Sequence, residues 1–172
     1  MPIYALGDRI PNISPEAFIS PDAVIIGSVT VGPESSVWPC AVLRGDHGSI
    51  VIGAQTSIQD GAVLHCTGDH DTLIGDRVTI GHNAHLEGCR VHDDCLIGSG
   101  SVVLPGAEVG PLALVGACAL VGTGVRVPAN ARALGVPARI TESIVHAGSF
   151  SPNVDAYVRN SHWYRADLRR ID

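Results

Sequence analysis

A chain of 172 residues is long enough for one domain with a real core and too short for two comfortable ones. Its formal charge of −6, from seventeen acidic residues against eleven arginines and no lysine, offers no basic surface for nucleic acid and no polybasic anchor for a membrane. No apolar run reaches the length of a membrane span, so the expected location is the cytoplasm.

Aromatic residues make up only 4% of the chain, while glycines number 20 and Val, Ile, Leu and Ala dominate. A core made of small and β-branched side chains suits narrow stacked strands better than packed helices. The five cysteines (Cys40, Cys66, Cys89, Cys95, Cys118) are odd in number and lack CxxC spacing, which argues against a disulfide framework or a thiolate zinc cage. Most of them read as small apolar residues.

Taken in chain order, one aliphatic residue recurs at every sixth position. The run opens with Ile13, Ile19, Ile25, Val31, Val37 and Leu43, and continues with Ile52, Ile58 and Leu64, then Ile74, Ile80 and Leu86. It closes with Val91, Ile97, Val103, Val109, Val115, Val121 and Val127. Wherever the frame is intact, a small side chain stands four residues after the aliphatic one, such as Ala23, Ser35, Ala41, Ala62, Ala84, Cys95, Ser101 and Ala113. A period of six with one large and one small inward residue describes a triangular prism, three short strands per coil, stacked about 4.8 Å apart. Ordinary strand alternation does not hold a six-residue frame through nineteen positions. Glycine often follows the aliphatic residue, as at Gly32, Gly53, Gly75, Gly81, Gly98, Gly110, Gly116 and Gly122, where a chain turning a corner is expected to use its freedom of φ.

The frame slips three times: nine residues from Leu43 to Ile52, ten from Leu64 to Ile74 and five from Leu86 to Val91. Insertions in a solenoid sit at corners and commonly carry function. The repeat occupies residues 1–140, a connecting segment 141–150, and a C-terminal helix 151–172 packs along the prism. Ser151 is expected to cap that helix, with Pro152 and Asp155 near its start and Arg169 and Arg170 in its last turn. Val154, Tyr157, Val158, Tyr164, Leu168 and Ile171 mark its apolar stripe.

Polar residues suited to chemistry cluster at the first two slips, in LRGDHG (43–48), IQDGAVLHC (58–66) and IGHNAHLEGC (80–89). With three repeats to a coil, Leu43, Leu64 and Leu86 fall on one side of the prism, so Arg44, His65 and Glu87 form a vertical column. Ile58 and Ile80 share the neighbouring side, and Asp60 and His82 form a second column. The columns lie on different sides, so one chain alone should not join His82 to His65. A three-fold trimer presses the second column of one chain against the first of its neighbour, pairing Arg44 with Asp60 and bringing His82 to His65 and Glu87. Two imidazoles and a third donor, with a position left for water, is a catalytic zinc arrangement, and the same donors suit cobalt and iron. The third donor is Glu87 or His85; Glu87 lies one coil above His65 in the same column, whereas His85 lies above Val63.

The strings VLRGDHG, IQDGAVLH and IGHNAHLEGC, set in this repeat and followed by a C-terminal helix, resemble the γ-class carbonic anhydrase family over nearly the whole chain. The resemblance implies a left-handed β-helix, a homotrimer, and zinc at each subunit interface, with hydration of carbon dioxide to bicarbonate as the reaction. It implies His65 and His82 as ligands, Arg44, Asp46 and Asp60 as organisers of the interface and site, and Gln59 as the group that orients substrate or solvent. His47 and His70, in the inserted corners, are the candidates for proton transfer. The chain departs from the family where a second histidine commonly stands five residues after the one matching His82, for here that residue is Glu87, and His47 replaces a glutamate. Two other functions fit the same prism: an acyltransferase acting on a coenzyme A thioester with one histidine as base, and a weakly active metal-binding scaffold subunit.

Overall fold

The computed structural model describes residues 2–172. The chain forms a left-handed β-helix of parallel strands, mostly two or three residues long, with one C-terminal helix. The third face of the prism shows the stacking most simply, since strands Phe18–Ile19, Ser36–Val37, Ser57–Ile58, Thr79–Ile80, Leu96–Ile97, Leu114–Val115 and Arg132–Leu134 pair in that order. Arg139–Thr141 then folds back antiparallel on the last of them.

The other two faces merge into a twelve-stranded sheet, because Val24–Val31 and Val42–Ile52 run through the corner between them without a break. On the first face Leu43 pairs with Leu64 and Leu64 with Leu86. On the second, Ile52 pairs with Ile74 and Ile74 with Val91. All three slips of the sequence frame therefore fall on one corner, between the first and second faces. Each coil re-enters its frame after that corner, and the register elsewhere is undisturbed.

The inward residues make the core. Ile25, Leu43, Leu64, Leu86 and Val103 on the first face are fully buried, as are Ile58, Ile80 and Ile97 on the third. Small residues fill the space beside them, and the polar ones are satisfied: the Ser35 hydroxyl donates to the Gly53 carbonyl (2.6 Å) and that of Thr56 to the Gly75 carbonyl (2.8 Å). Cys66, Cys89 and Cys95 belong to this core, and burial pushes the Cys89 and Cys95 thiols up to about 12, so they stay protonated and inert.

The glycines of the repeat have a different cause from the one expected. None of the eight that follow an aliphatic residue has a positive φ. The left-handed conformation falls two residues later, at Glu34, Gln55, Arg77, Asn83, Leu112 and Cys118, and at Gly100 and Gly124. Except at Gly122, the glycine itself is required by the approach of the next coil: a Cβ on Gly53 would stand 2.6 Å from the Gly75 carbonyl carbon, and one on Gly81 2.6 Å from the Ser99 nitrogen.

The helix runs Ser151–Asp167, and three details of the sequence reading are corrected. Phe150, not Ser151, occupies the capping position and makes no side-chain cap; Asp155 lies beyond the first turn; and the last turn holds Arg165, since Arg169, Arg170, Leu168 and Ile171 follow the helix end. Leu168 and Ile171 are exposed, so the stripe that packs is Val154, Tyr157, Val158 and Tyr164. The helix lies on the lower strands of the third face. There Tyr157 and Tyr164 meet the Trp38 ring edge-on at 5.5 and 5.1 Å, and the indole N–H donates to Ser36 Oγ (2.9 Å) and Ser57 Oγ (3.0 Å). No helix among the described residues is long and apolar enough to cross a membrane.

Because coil spacing sets the glycine requirement, Gly53→Ala is expected to lower stability by roughly 1–3 kcal/mol. Gly68→Ala, whose Cβ meets nothing within 4 Å, is expected to be neutral. Thermal unfolding of the two variants checks this.

Candidate metal centre

Strand register builds the first column. Arg44 pairs with His65 and His65 with Glu87, so their side chains leave the first face one above another at its exit corner. The inserted residues of the long strand then bring Asp46 over the same spot. His65 sits between two carboxylates: its Nδ1 lies 2.8 Å from Glu87 Oε1 and its Nε2 2.9 Å from Asp46 Oδ1. The guanidinium of Arg44 holds the other oxygen of Asp46. Burial pushes the Asp46 carboxyl up, but hydrogen bonds from His65 and Arg44, with the Arg44 charge, outweigh it and hold the group down at about 2. Asp46 is therefore an anion throughout the neutral range.

The second column stands at the entry corner of the same face, where Asp60 and His82 occupy equivalent turn positions in successive coils. His82 Nδ1 lies 2.9 Å from Asp60 Oδ2, and both side chains are nearly half exposed. Within one chain Arg44 thus engages Asp46 and Asp60 engages His82. Among the described residues no three His, Cys, Asp or Glu side chains converge as a cation site.

His85 pairs in register with Val63, two residues before the column of His65 and Glu87 and on the same outward side of the strand. Its Nε2 lies 3.8 Å from Glu87 Oε2, beyond hydrogen-bond length. His47 is exposed, its ring 6.4 Å from that of His65. His70 belongs to the inserted loop 67–71 and lines a separate cleft on the second-face side with Asp69, Asp71, Arg90 and Glu108. Gln59, only 4% exposed, faces a groove of about 650 Å³ between the third face and the start of the helix, which His82 also lines.

Three contributors were missed in the sequence. Thr72, fully buried, ties the corner together: its hydroxyl donates to the His65 carbonyl and accepts from the Gly88 N–H (2.8 Å). Asn153 and Tyr157, one helical turn apart, line the groove beside Gln59 and His82. Burial, and then the charge of Asp60, raise the Tyr157 hydroxyl above its ordinary value. The i, i+4 spacing of an amide and a phenol was the available signal, but Tyr157 also packs on Trp38 and read as core.

The profile of the bacterial transferase hexapeptide family (six repeats) matches residues 71–105 and 88–123. A probable carbonic anhydrase of Methanocaldococcus jannaschii is 48% identical over 151 residues, which are 87% of this chain and 95% of that protein. The chain belongs to the γ-class carbonic anhydrase-like family of hexapeptide-repeat β-helices. Within that superfamily it is also 40% identical to the carnitine operon protein CaiE of Escherichia coli, over 84% of this chain and 74% of that one. The crystal structure of a putative acetyltransferase from Bacillus cereus superposes with a TM-score of 0.92 at 36% identity, covering 95% of this chain and 96% of that one.

Proposed function

We propose that the chain assembles as a homotrimer and catalyses the reversible hydration of carbon dioxide at a metal ion held between subunits. The ion is zinc, with cobalt(II) or iron(II) as substitutes. The observation that carries this reading is the placement of two ligand-bearing columns at opposite corners of one face. His65 and Glu87 leave one corner and His82 the other, so a site built from all three draws on a second chain. His65 Nδ1 and Glu87 Oε1 form a nitrogen and an oxygen donor side by side, 2.8 Å apart, which suits the metals named.

In this site His65 and Glu87, with His82 of the partner subunit, would hold the ion. When bound, the metal supplies the Lewis acidity that makes water a nucleophile near neutral pH. The chain's own residues prepare the rest. Arg44 fixes Asp46, and Asp46 fixes the Nε2 side of His65, which settles the ring's orientation. Asp60 does the same for His82 through Nδ1, leaving Nε2 free to face a neighbour. Arg44 is 44% exposed, with guanidinium nitrogens to spare for Asp60 of the partner subunit. Gln59 orients carbon dioxide or bicarbonate from the groove beside His82, and the exposed His47 carries the proton towards solvent, with His70, in its own cleft beyond the inserted corner, as a second acceptor. Glu87 brings more negative charge to the ion than an imidazole would, which predicts slower turnover near neutral pH. The acetyltransferase relative keeps a second reading in play, transfer from a coenzyme A thioester with one histidine as base. That reaction needs no metal, and a scaffold subunit would bind metal without turning over.

The expected metal content is about one ion per chain, lost in His65→Ala and in His82→Ala alike. Refolding the two variants together is expected to restore part of it, because one interface of a mixed trimer then carries both histidines; no restoration would place both ligands in one subunit. Glu87→His is expected to raise carbon dioxide hydration near pH 7, measured by stopped-flow proton release, and an unchanged or lower rate would count against Glu87 as a ligand.

A further inference from the structure

We infer that the three His85 side chains of the assembled trimer converge on its three-fold axis and form a second transition-metal site, one per trimer. The inference rests on the trimeric reading above. It begins with the middle of the first face, where the outward residues pair coil by coil as Val24, Val42, Val63, His85, Val102 and Leu120. Every member is aliphatic except His85. The equivalent column on the second face is mixed: Thr30, Val51 and Leu73 are followed by the charged Arg90, Glu108 and Arg126. On the third face the lower positions lie under the helix.

The first face lies between the two columns that the proposed docking brings together. A three-fold operation that closes the exit corner of each subunit on the entry corner of the next turns this face inward, towards the axis. Its middle column then stacks in aliphatic layers about 4.8 Å apart, with one layer of three imidazoles between Val63 and Val102.

A polar ring in an apolar layer is costly unless it finds a partner. Within the chain His85 has none: Glu87 approaches no closer than 3.8 Å and is already engaged by His65 at 2.8 Å. The symmetry supplies what the chain does not. Three neutral imidazoles around an axis present three lone pairs to one point, with no carboxylate in the column. That donor set selects a zinc-like, nickel-like or copper-like cation over calcium or magnesium, with one position open along the axis. It also gives His85 a role separate from the interfacial ligands one column away.

The test is native mass spectrometry of zinc-loaded wild type, His85→Val and His65→Ala. Valine completes the aliphatic column, so His85→Val is expected to stay trimeric. Wild type is expected to hold about one ion more per trimer than His85→Val, and trimeric His65→Ala to keep that single ion. If only the axial ion is found in wild type and vanishes in His85→Val, this site stands and the interfacial reading fails. Equal zinc in wild type and His85→Val overturns the axial site. A loss of about one ion per chain in His85→Val overturns it by making His85 an interfacial ligand. A monomeric wild type overturns both readings, and the mass itself reports it.

Discussion

The constraint on which everything else depends is coil stacking. One aliphatic side chain must point inward at every sixth residue, and its backbone must hydrogen-bond to the coils above and below. Once that is met, residues far apart in sequence stand in vertical columns with no freedom to drift. Arg44, His65 and Glu87 share a column for this reason alone, since the inward residue before each is buried in the same sheet. The irregular corner between the first and second faces absorbs every change of length. It can therefore hold inserted chemistry, such as Asp46 and His47, without disturbing the frame.

Much of this was legible in the sequence because a period of six is hard to imitate. The two columns followed from counting, and the count survives three slips because all three fall on the same corner. The role of the glycines was not legible, for a residue after an inward aliphatic sits beside a corner whether it bends the chain or merely lets the next coil approach. Only the structure separates the two, with positive φ at Asn83 and a close coil at Gly81. The partner of Arg44 was likewise hidden. Asp46 lies two residues on, on the same side of the strand, but nothing in the spacing says that the inserted corner folds it onto His65. The helix boundary was misread because Ser151 before Pro152 has the pattern of a cap, while the chain enters the helix through Phe150 in a helical conformation.

Chemistry and assembly are joined at the first face. Its corners carry ionisable groups held by carboxylates, and its middle carries aliphatic residues that gain by leaving water. A single chain leaves the donors divided between corners and the valines uncovered; Val63 is 38% exposed. The proposed association through this face would answer both conditions at once, which is why metal binding is expected to depend on trimerisation. In the proposed site, Glu87 in place of a third histidine would alter the charge at the ion without moving the donor, because the stacking register sets its position.

The central claim is that the first face lies on the axis of a trimer, and light scattering of the wild type beside Val63→Arg tests it most directly. Val63 points outward, so the charge need not disturb the prism, and circular dichroism confirms that the fold is kept. The account predicts a wild-type mass three times that of the 17.9 kDa chain and a folded Val63→Arg monomer. A monomeric wild type, or a Val63→Arg trimer of undiminished stability, would contradict it.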